Sequence, residues 1–491
     1  MRLLQILVVL SMALGACRVD SNDVETWKST VKGPSKIKAV ALAPKYGPEL
    51  RIQAAVALVE MDRQDVEGLT EFENTLRKLN DADREKIIAG IATRLEEAMK
   101  TDGAADADNA DGLADAQVRA KDAAFILLPY TQDAHRQGLS SAIVQWLTAD
   151  FNGRSLAGKF SAEQIIRTLG SSAAGQLVAA LDSRIPQTAL IKLSHLIAQI
   201  GDDATKAQAG ARLVAIEREM ESKAFVAWLE TRIQEQAKER NQTVKSADVS
   251  RAAIHHRETF ITTGALPAMS HVADQPVVAE RLLEIASNNS QDAVIVERRW
   301  RALAALEGKA TAAQLDRLLE LALNNANPSK VRDYAFDRLG DIRSPKTIAR
   351  LWPLVQSASN PRERWRAGEL VLAIGGDKVL DEFLSRLPTS GDATYEPEEL
   401  EGYAKRMGQM IPLPVTKLRA LLSSSQWWQR VIALRFFERK GSSTDLPSLQ
   451  RLTKDSTPVK GKHWDAGTTV GKIATSTAQA IRQRIQAQPS S

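Results

Sequence analysis

One motif recurs along this chain: an Arg, two residues, an Ala, and an apolar residue four positions after the Ala. It occurs as Arg299-Trp300-Arg301-Ala302…Leu306, Arg332-Asp333-Tyr334-Ala335…Leu339, Arg364-Trp365-Arg366-Ala367…Val371 and Arg430-Val431-Ile432-Ala433…Phe437. The alanines lie 33 (302 to 335), 32 (335 to 367) and 66 (367 to 433) residues apart. The last interval is two periods, which predicts a degenerate unit or an insertion near 388–410. A fifth copy, Arg51-Ile52-Gln53-Ala54…Leu58, stands near the start. One or two such matches arise by chance in an Ala- and Arg-rich chain; four in register do not. A fixed period means that one small unit is copied and stacked, because a single unit cannot bury its apolar face alone.

The unit is helical. Apolar residues recur at three- and four-residue spacing in Ile52–Val59, Ile185–Ile200, Val277–Ala286 and Leu315–Leu323, and alternating β-branched runs are missing. Pro186, Pro276, Pro328, Pro345, Pro353, Pro361 and Pro447 are expected between helices or in first turns. With 44% apolar residues in 491, ordinary burial is enough to hold the fold together.

The stretch Val331-Arg332-Asp333-Tyr334-Ala335-Phe336-Asp337-Arg338-Leu339-Gly340-Asp341-Ile342 resembles the second helix of a HEAT repeat, of the short bacterial type related to phycobilin-lyase repeats. Arg364–Gly376 has the same form, and Ile200-Gly201-Asp202-Asp203 closes a similar segment. The likeness covers residues 290–440 and extends to 33–61 and 170–216. The Thr-Pro-Leu-His signature of ankyrin repeats and the Trp-Leu-Gly-Tyr pattern of tetratricopeptide repeats are absent. The resemblance implies an all-α fold, an α-solenoid of stacked antiparallel helix pairs. It also implies that Arg51, Arg299, Arg332, Arg364 and Arg430 form a structural ladder to acids in neighbouring turns. The small Ala lets paired helices approach, and Gly340 and Gly375 are expected to take the left-handed turn that ends a helix.

The N-terminus carries a different signal. After Arg2 and an apolar run come Leu14-Gly15-Ala16-Cys17, and Cys17 is the only cysteine. This resembles the lipobox of bacterial lipoproteins, with Leu14, Gly15 and Ala16 preceding the residue that is acylated. The apolar run is too short for a stable spanning helix. The resemblance implies a mature chain beginning at Cys17 with several acyl tails, the regime of stable anchoring. It would lack disulfides, thiolate metal sites and a cysteine nucleophile. Arg18, in place of the Asp that retains enteric lipoproteins at the inner membrane, favours the outer membrane. Loss of Arg2 takes the formal charge from +5 to +4, because residues 1–16 hold no acid. Nothing in that balance points to nucleic acid as a partner.

The expected organisation is a signal peptide (1–16), a lipidated tether (17–26), an N-terminal helical block with one HEAT-like unit (27–100) and an acidic flexible loop (101–117). A middle helical block (118–262), with a long charged helical stretch at Val214–Arg240, and a regular array with a cap helix (263–486) complete it. Several apparent chemical motifs fail on inspection. Asp106, Asp108 and Asp111-Gly112 suggest a calcium loop, but an EF-hand begun at Asp106 has Ala110 at position five and Gln117 at position twelve. No histidine pair has zinc spacing; His255-His256 is expected in solvent and His195 in the core. Gly467–Lys472 is one residue short of a phosphate loop and lacks its Ser or Thr. Ser29-x-x-Lys32 has no partner motifs. No metal or cofactor is therefore expected.

Trp427-Trp428, beside Arg430, is the best surface candidate for partner binding, since adjacent helical residues do not share one seam; the alternative is that both rings pack into the end of the array. The functional expectation is a non-enzymatic, membrane-anchored scaffold that binds an envelope protein, since stacked repeats present extended surfaces. A lyase-like enzyme framed by the repeats, or a peptidoglycan- or lipid-binding envelope protein, stays open beside it.

Overall fold

A computed structural model describes residues 19–62, 66–100, 110–357, 360–389 and 393–487. Residues 1–16, Cys17 and the stretch 101–109 lie outside the described residues, so Leu14, Gly15, Ala16, Cys17, Asp106 and Asp108 receive no structural account. The chain forms two compact units, one reaching to Val272 and one running from Ala273. Both are helical; no strand forms among the described residues, and Pro458 and Thr469 make an isolated bridge.

The first unit holds α1 (Ser21–Trp27), α2 (Gly33–Leu42), α3 (Pro48–Glu60), α4 (Gly68–Lys78), α5 (Asp81–Lys100), α6 (Ala110–Leu127) and α7 (Asp133–Ala149). It continues through α8 (Phe151–Arg154), α9 (Ala162–Leu169), α10 (Ser171–Ala179), α11 (Gln187–Ile200), α12 (Asp203–Met220), α13 (Lys223–Glu239), α14 (Ser246–Phe260) and α15 (Leu266–Ser270). Neighbours in sequence pair: α2 with α3, α5 with α6 and α13 with α14.

The second unit is the more regular. It comprises α16 (Pro276–Ala286), α17 (Ala293–Ala305), α18 (Leu315–Leu323), α19 (Ser329–Ile342), α20 (Pro345–Val355) and α21 (Pro361–Gly375). Then follow α22 (Asp377–Arg386), α23 (Pro397–Met407), α24 (Val415–Leu421), α25 (Trp427–Lys440), α26 (Leu446–Leu452) and α27 (Val470–Ala487). Each first helix packs on its second, α16 on α17, α18 on α19 and α20 on α21. The second helices form a continuous row, α17–α19–α21–α23–α25–α27, each packed on the next. This is the stack of helix pairs that the period requires. The repeat alanines Ala302, Ala335, Ala367 and Ala433 are all 0% exposed, so the Ala position is the seam where helices meet. Leu306, Leu339, Val371 and Phe437 fill the next layer of the same seam.

The double interval between Ala367 and Ala433 is a complete unit, α22 with α23, in disguise. Leu400 takes the Arg position, Tyr403 the Ala position and Met407 the apolar one. A tyrosine fits at the seam because α21 carries Gly368 opposite it, where a Cβ would stand 2.5 Å from the Tyr403 ring. The missing side chain on α21 leaves the space that the ring on α23 fills, so the seam stays close-packed.

Several expectations change. The tether 17–26 gives way to helix from Ser21, because Asp20 caps the amides of Asn22 and Asp23, Asp23 caps Asp20 in return, and Val24 is buried. The acidic loop ends before Ala110: residues 110–117 belong to α6, in keeping with the helix preference of their alanines. The stretch Val214–Arg240 is two helices, broken where the Ser222 side chain caps the amide of Phe225. The boundary at 262/263 falls inside the helical run from Ser246 to Ser270, and the unit break follows Val272. Gly340 lies within α19, whose left-handed C-terminal residue is Arg343 (φ 51°). Gly376 (φ 57°), and not Gly375, makes the turn after α21. Pro353 lies inside α20, in its last turn, where it follows the body of the helix.

Candidate functional site

The five motif arginines occupy the first turns of the second helices, or near them, and each guanidinium is tied down. Arg51 donates to the Ala41 carbonyl at 2.9 Å and pairs with Asp83 at 3.2 Å. Arg332 donates to the Ala322 carbonyl at 3.1 Å and pairs with Glu363 at 2.7 Å. Arg364 grips Glu399 with two nitrogens, at 2.6 and 2.7 Å, and reaches the carbonyls of Ser357 and Thr394. Arg430 donates to the Ser424 carbonyl at 2.6 Å and pairs with Asp455 at 3.0 Å. Arg299 donates to the Ala286 carbonyl at 2.9 Å but meets the neutral Asn327. Asp83, Glu363 and Glu399 are each the third residue of their helices. One Arg therefore satisfies carbonyls at the end of its partner helix and reaches an acid of the following unit. Arg84, 33 residues after Arg51 (84 − 51), does the same toward the carbonyls of Leu76 and Leu79; Ile87 at its Ala position hides it from the motif.

These contacts set the acid response of the fold. Arg51 and Asn80 hold the Asp83 carboxyl below the usual carboxylate range. Burial raises Asp455, but hydrogen bonds from Thr457 and the charge of Arg430 outweigh it and leave the carboxyl lowered. Asp445 and Glu396 are likewise lowered against burial, the first by Ser442 and Arg419, the second by the amides of Lys462 and His463. A carboxyl lowered in the fold stabilises it above the unfolded range and loses that contribution as pH falls through the folded value. Stability is therefore expected to hold above about pH 5 and to fall progressively below about pH 4. Urea midpoints at pH 7 and pH 3 measure the difference, which Asp455→Asn is expected to shrink.

Trp427 and Trp428 are not a free surface. Trp428 is 1% exposed and Trp427 9%. Both rings meet Tyr395, at 5.1 Å for Trp428 and 6.0 Å for Trp427. They share no seam on their helix, yet the segment before α23 folds over α25 and covers both. His195 is exposed rather than buried, with its ring edge-on to His271 at 4.9 Å. His255 and His256 are exposed as expected, and no group of acids, histidines and cysteines among the described residues has the geometry to hold a metal ion.

A partly exposed aromatic series lies elsewhere, on the second helices of the second unit. Trp300 and Trp365 directly follow ladder residues Arg299 and Arg364, while Tyr334 lies two after Arg332, so each aromatic falls between the Arg and the Ala of its repeat. Trp300 stacks on Tyr334 at 5.4 Å and carries Lys330 at 3.6 Å and Arg301 at 4.8 Å. Trp365 lines a hollow of about 790 Å3 together with Asp333, Pro361, Arg362, Glu398 and His463. Arg362 pairs with Asp333, and Arg366 with Asp337, which braces one wall. Glu398 is exposed at the rim. The signal for these residues was in the motif itself: the two positions between Arg and Ala repeatedly carry an aromatic or a charge.

No protein-family model matches the chain, and no curated protein matches its sequence significantly. Among solved structures, karyopherin Kap121p bound to the SUMO protease Ulp1p is similar at 14% identity and a TM-score of 0.34, over 97% of this chain and 51% of that one. Kap121p without a partner gives 14% and 0.35, over 96% and 46%. Kap121p bound to Nup53p gives 15% and 0.33, over 98% and 52%. The chain spans about half the length of these structures. A likeness this distant assigns neither activity nor partner.

Proposed function

We propose that the chain is a lipid-anchored scaffold of HEAT-like repeats that binds a protein partner in the bacterial envelope, at the outer membrane. The observation that carries the binding half is the aromatic and charged series Trp300, Tyr334 and Trp365 on consecutive second helices, ending in the hollow beside Glu398. Rigid aromatic rings braced by arginines and set among charged side chains are the usual composition of a protein-binding hot spot. The anchoring half rests on Leu14-Gly15-Ala16-Cys17 and on the short interval before α1.

A photo-crosslinking residue at position 398 is expected to capture one defined envelope protein, and the same group at Lys378 is not. Trp365→Ala is expected to weaken that capture by about tenfold or more. Mass spectrometry of the N-terminal peptide from native membranes is expected to show acylated Cys17. A retained Met1 sinks the anchor, and equal capture from positions 398 and 378 sinks the binding face.

A further inference from the structure

The segment from Thr26 to Pro48 holds Lys28, Lys32, Lys36, Lys38 and Lys45 and no acid. Lys28 pairs with Glu25 and Glu60, and Lys38 with Glu71. Lys32, Lys36 and Lys45 are exposed, and the last two lie over aromatic rings, Lys36 over Trp27 and Lys45 over Tyr46, each at 4.9 Å. Those four residues, with Val19, Ala39 and Ala43, line one hollow of about 340 Å3. Close by in sequence, Val31 is completely exposed at the tip of the turn between α1 and α2.

This patch lies next to the anchor. Four steps along the chain lead from Cys17 to Ser21, where α1 begins (21 − 17), and an extended chain covers about 3.3–3.6 Å per residue. An acylated Cys17 would hold α1 within roughly 14 Å of the bilayer surface. Val19, two positions after Cys17, lines the same hollow as Trp27 and Tyr46, aromatic residues of the kind that favour the membrane interface, together with Lys36 and Lys45. We infer that this face, built from Val19, Trp27, Lys36, Lys45 and Tyr46, docks the first unit onto an anionic phospholipid surface. The inference takes the patch's orientation from the anchor proposed above, but its chemistry stands on the lysines and rings themselves. Acyl tails alone leave a protein free to swivel; a second contact beside them fixes which face of the first unit turns toward the membrane.

The test uses the full chain with Cys17→Ser, which blocks acylation, and vesicles of phosphatidylcholine with or without 30% phosphatidylglycerol. Binding is expected to the anionic vesicles, to weaken with salt, and to fall tenfold or more in Lys36→Glu/Lys45→Glu, since each lysine contributes about fivefold near such a surface. Lys378→Glu/Lys454→Glu, with the same charge change at exposed positions of the second unit, is expected to bind like the parent. Equal binding to neutral and anionic vesicles, no binding to either, or equal loss in both double variants would overturn the inference. The mass of the native N-terminal peptide reports separately on the anchor. Acylated Cys17 with charge-insensitive binding removes the patch alone; a retained Met1 with charge-sensitive binding removes the anchor alone.

Discussion

Glu399→Ala is expected to destabilise the second unit by about 3–5 kcal/mol, the cost of leaving a buried cation without its anion. Arg364 and Glu399 are 0% and 1% exposed along their side chains, so water does not replace the missing carboxylate. The single proton of the Tyr403 hydroxyl is shared between this carboxylate at 2.9 Å and the Arg364 carbonyl at 3.0 Å. Arg364 lies over the Tyr395 ring at 4.4 Å. Burial pushes the Glu399 carboxyl up and Arg364 pulls it back, so the two groups depend on one another. One deletion therefore leaves a buried cation with only the carbonyls of Ser357 and Thr394, and the Tyr403 hydroxyl with only the Arg364 carbonyl. For a unit of this size the melting temperature is expected to drop by roughly 10 °C or more. Thermal unfolding followed by circular dichroism checks it. Arg364→Met/Glu399→Leu, which removes both charges, is expected to recover much of the loss, because a buried pair adds little over well-packed apolar side chains. A single variant that melts like the parent would mean that the pair is hydrated.

The repeat register was legible in the sequence because four arginines and four alanines kept their spacing. It implied the stacked helix pairs and the close approach of helices at the Ala position. The unit at α22 and α23 was hidden for a physical reason: packing conserves volume across two facing residues, not identity at either. Gly368 makes room at the seam for the Tyr403 ring, and no single-position pattern finds it. Arg84 was missed in the same way through Ile87. The buried pair Lys121 and Asp122 was invisible too. Lys121 donates to the carbonyls of Ala157 and Phe160 at 2.6 and 2.8 Å, and Asp122 accepts from the amides of Lys159 and Phe160. Adjacent opposite charges in a helical pattern read as a solvated face, and only the loop folded over them makes them core. Of the candidate binding residues, sequence pointed to the largest aromatic pair, whereas exposure depends on a distant covering segment that composition does not reveal.

Trp428→Ala decides between those two readings of the aromatic pair, and it is expected to cost about 3–5 kcal/mol. The ring is 1% exposed and lies against Tyr395, itself 0% exposed. Tyr395 is fixed from three sides: its amide donates to the Lys460 carbonyl, its hydroxyl to the Pro388 carbonyl, and its own carbonyl accepts from the Trp464 indole. Trp428 thus supports the place where the segment before α23 and the loop after α26 close over α25. Removing an indole there leaves a cavity that a tied segment fills only in part, which puts the cost at the upper end for a core truncation. Trp365→Ala, in a partly exposed position, is expected to cost less than half as much while reducing partner capture. Denaturant unfolding of both variants, read beside crosslinking yield, separates a ring that holds the fold from a ring that meets a partner. Parental stability in Trp428→Ala would return the pair to the surface and reopen it as a binding site.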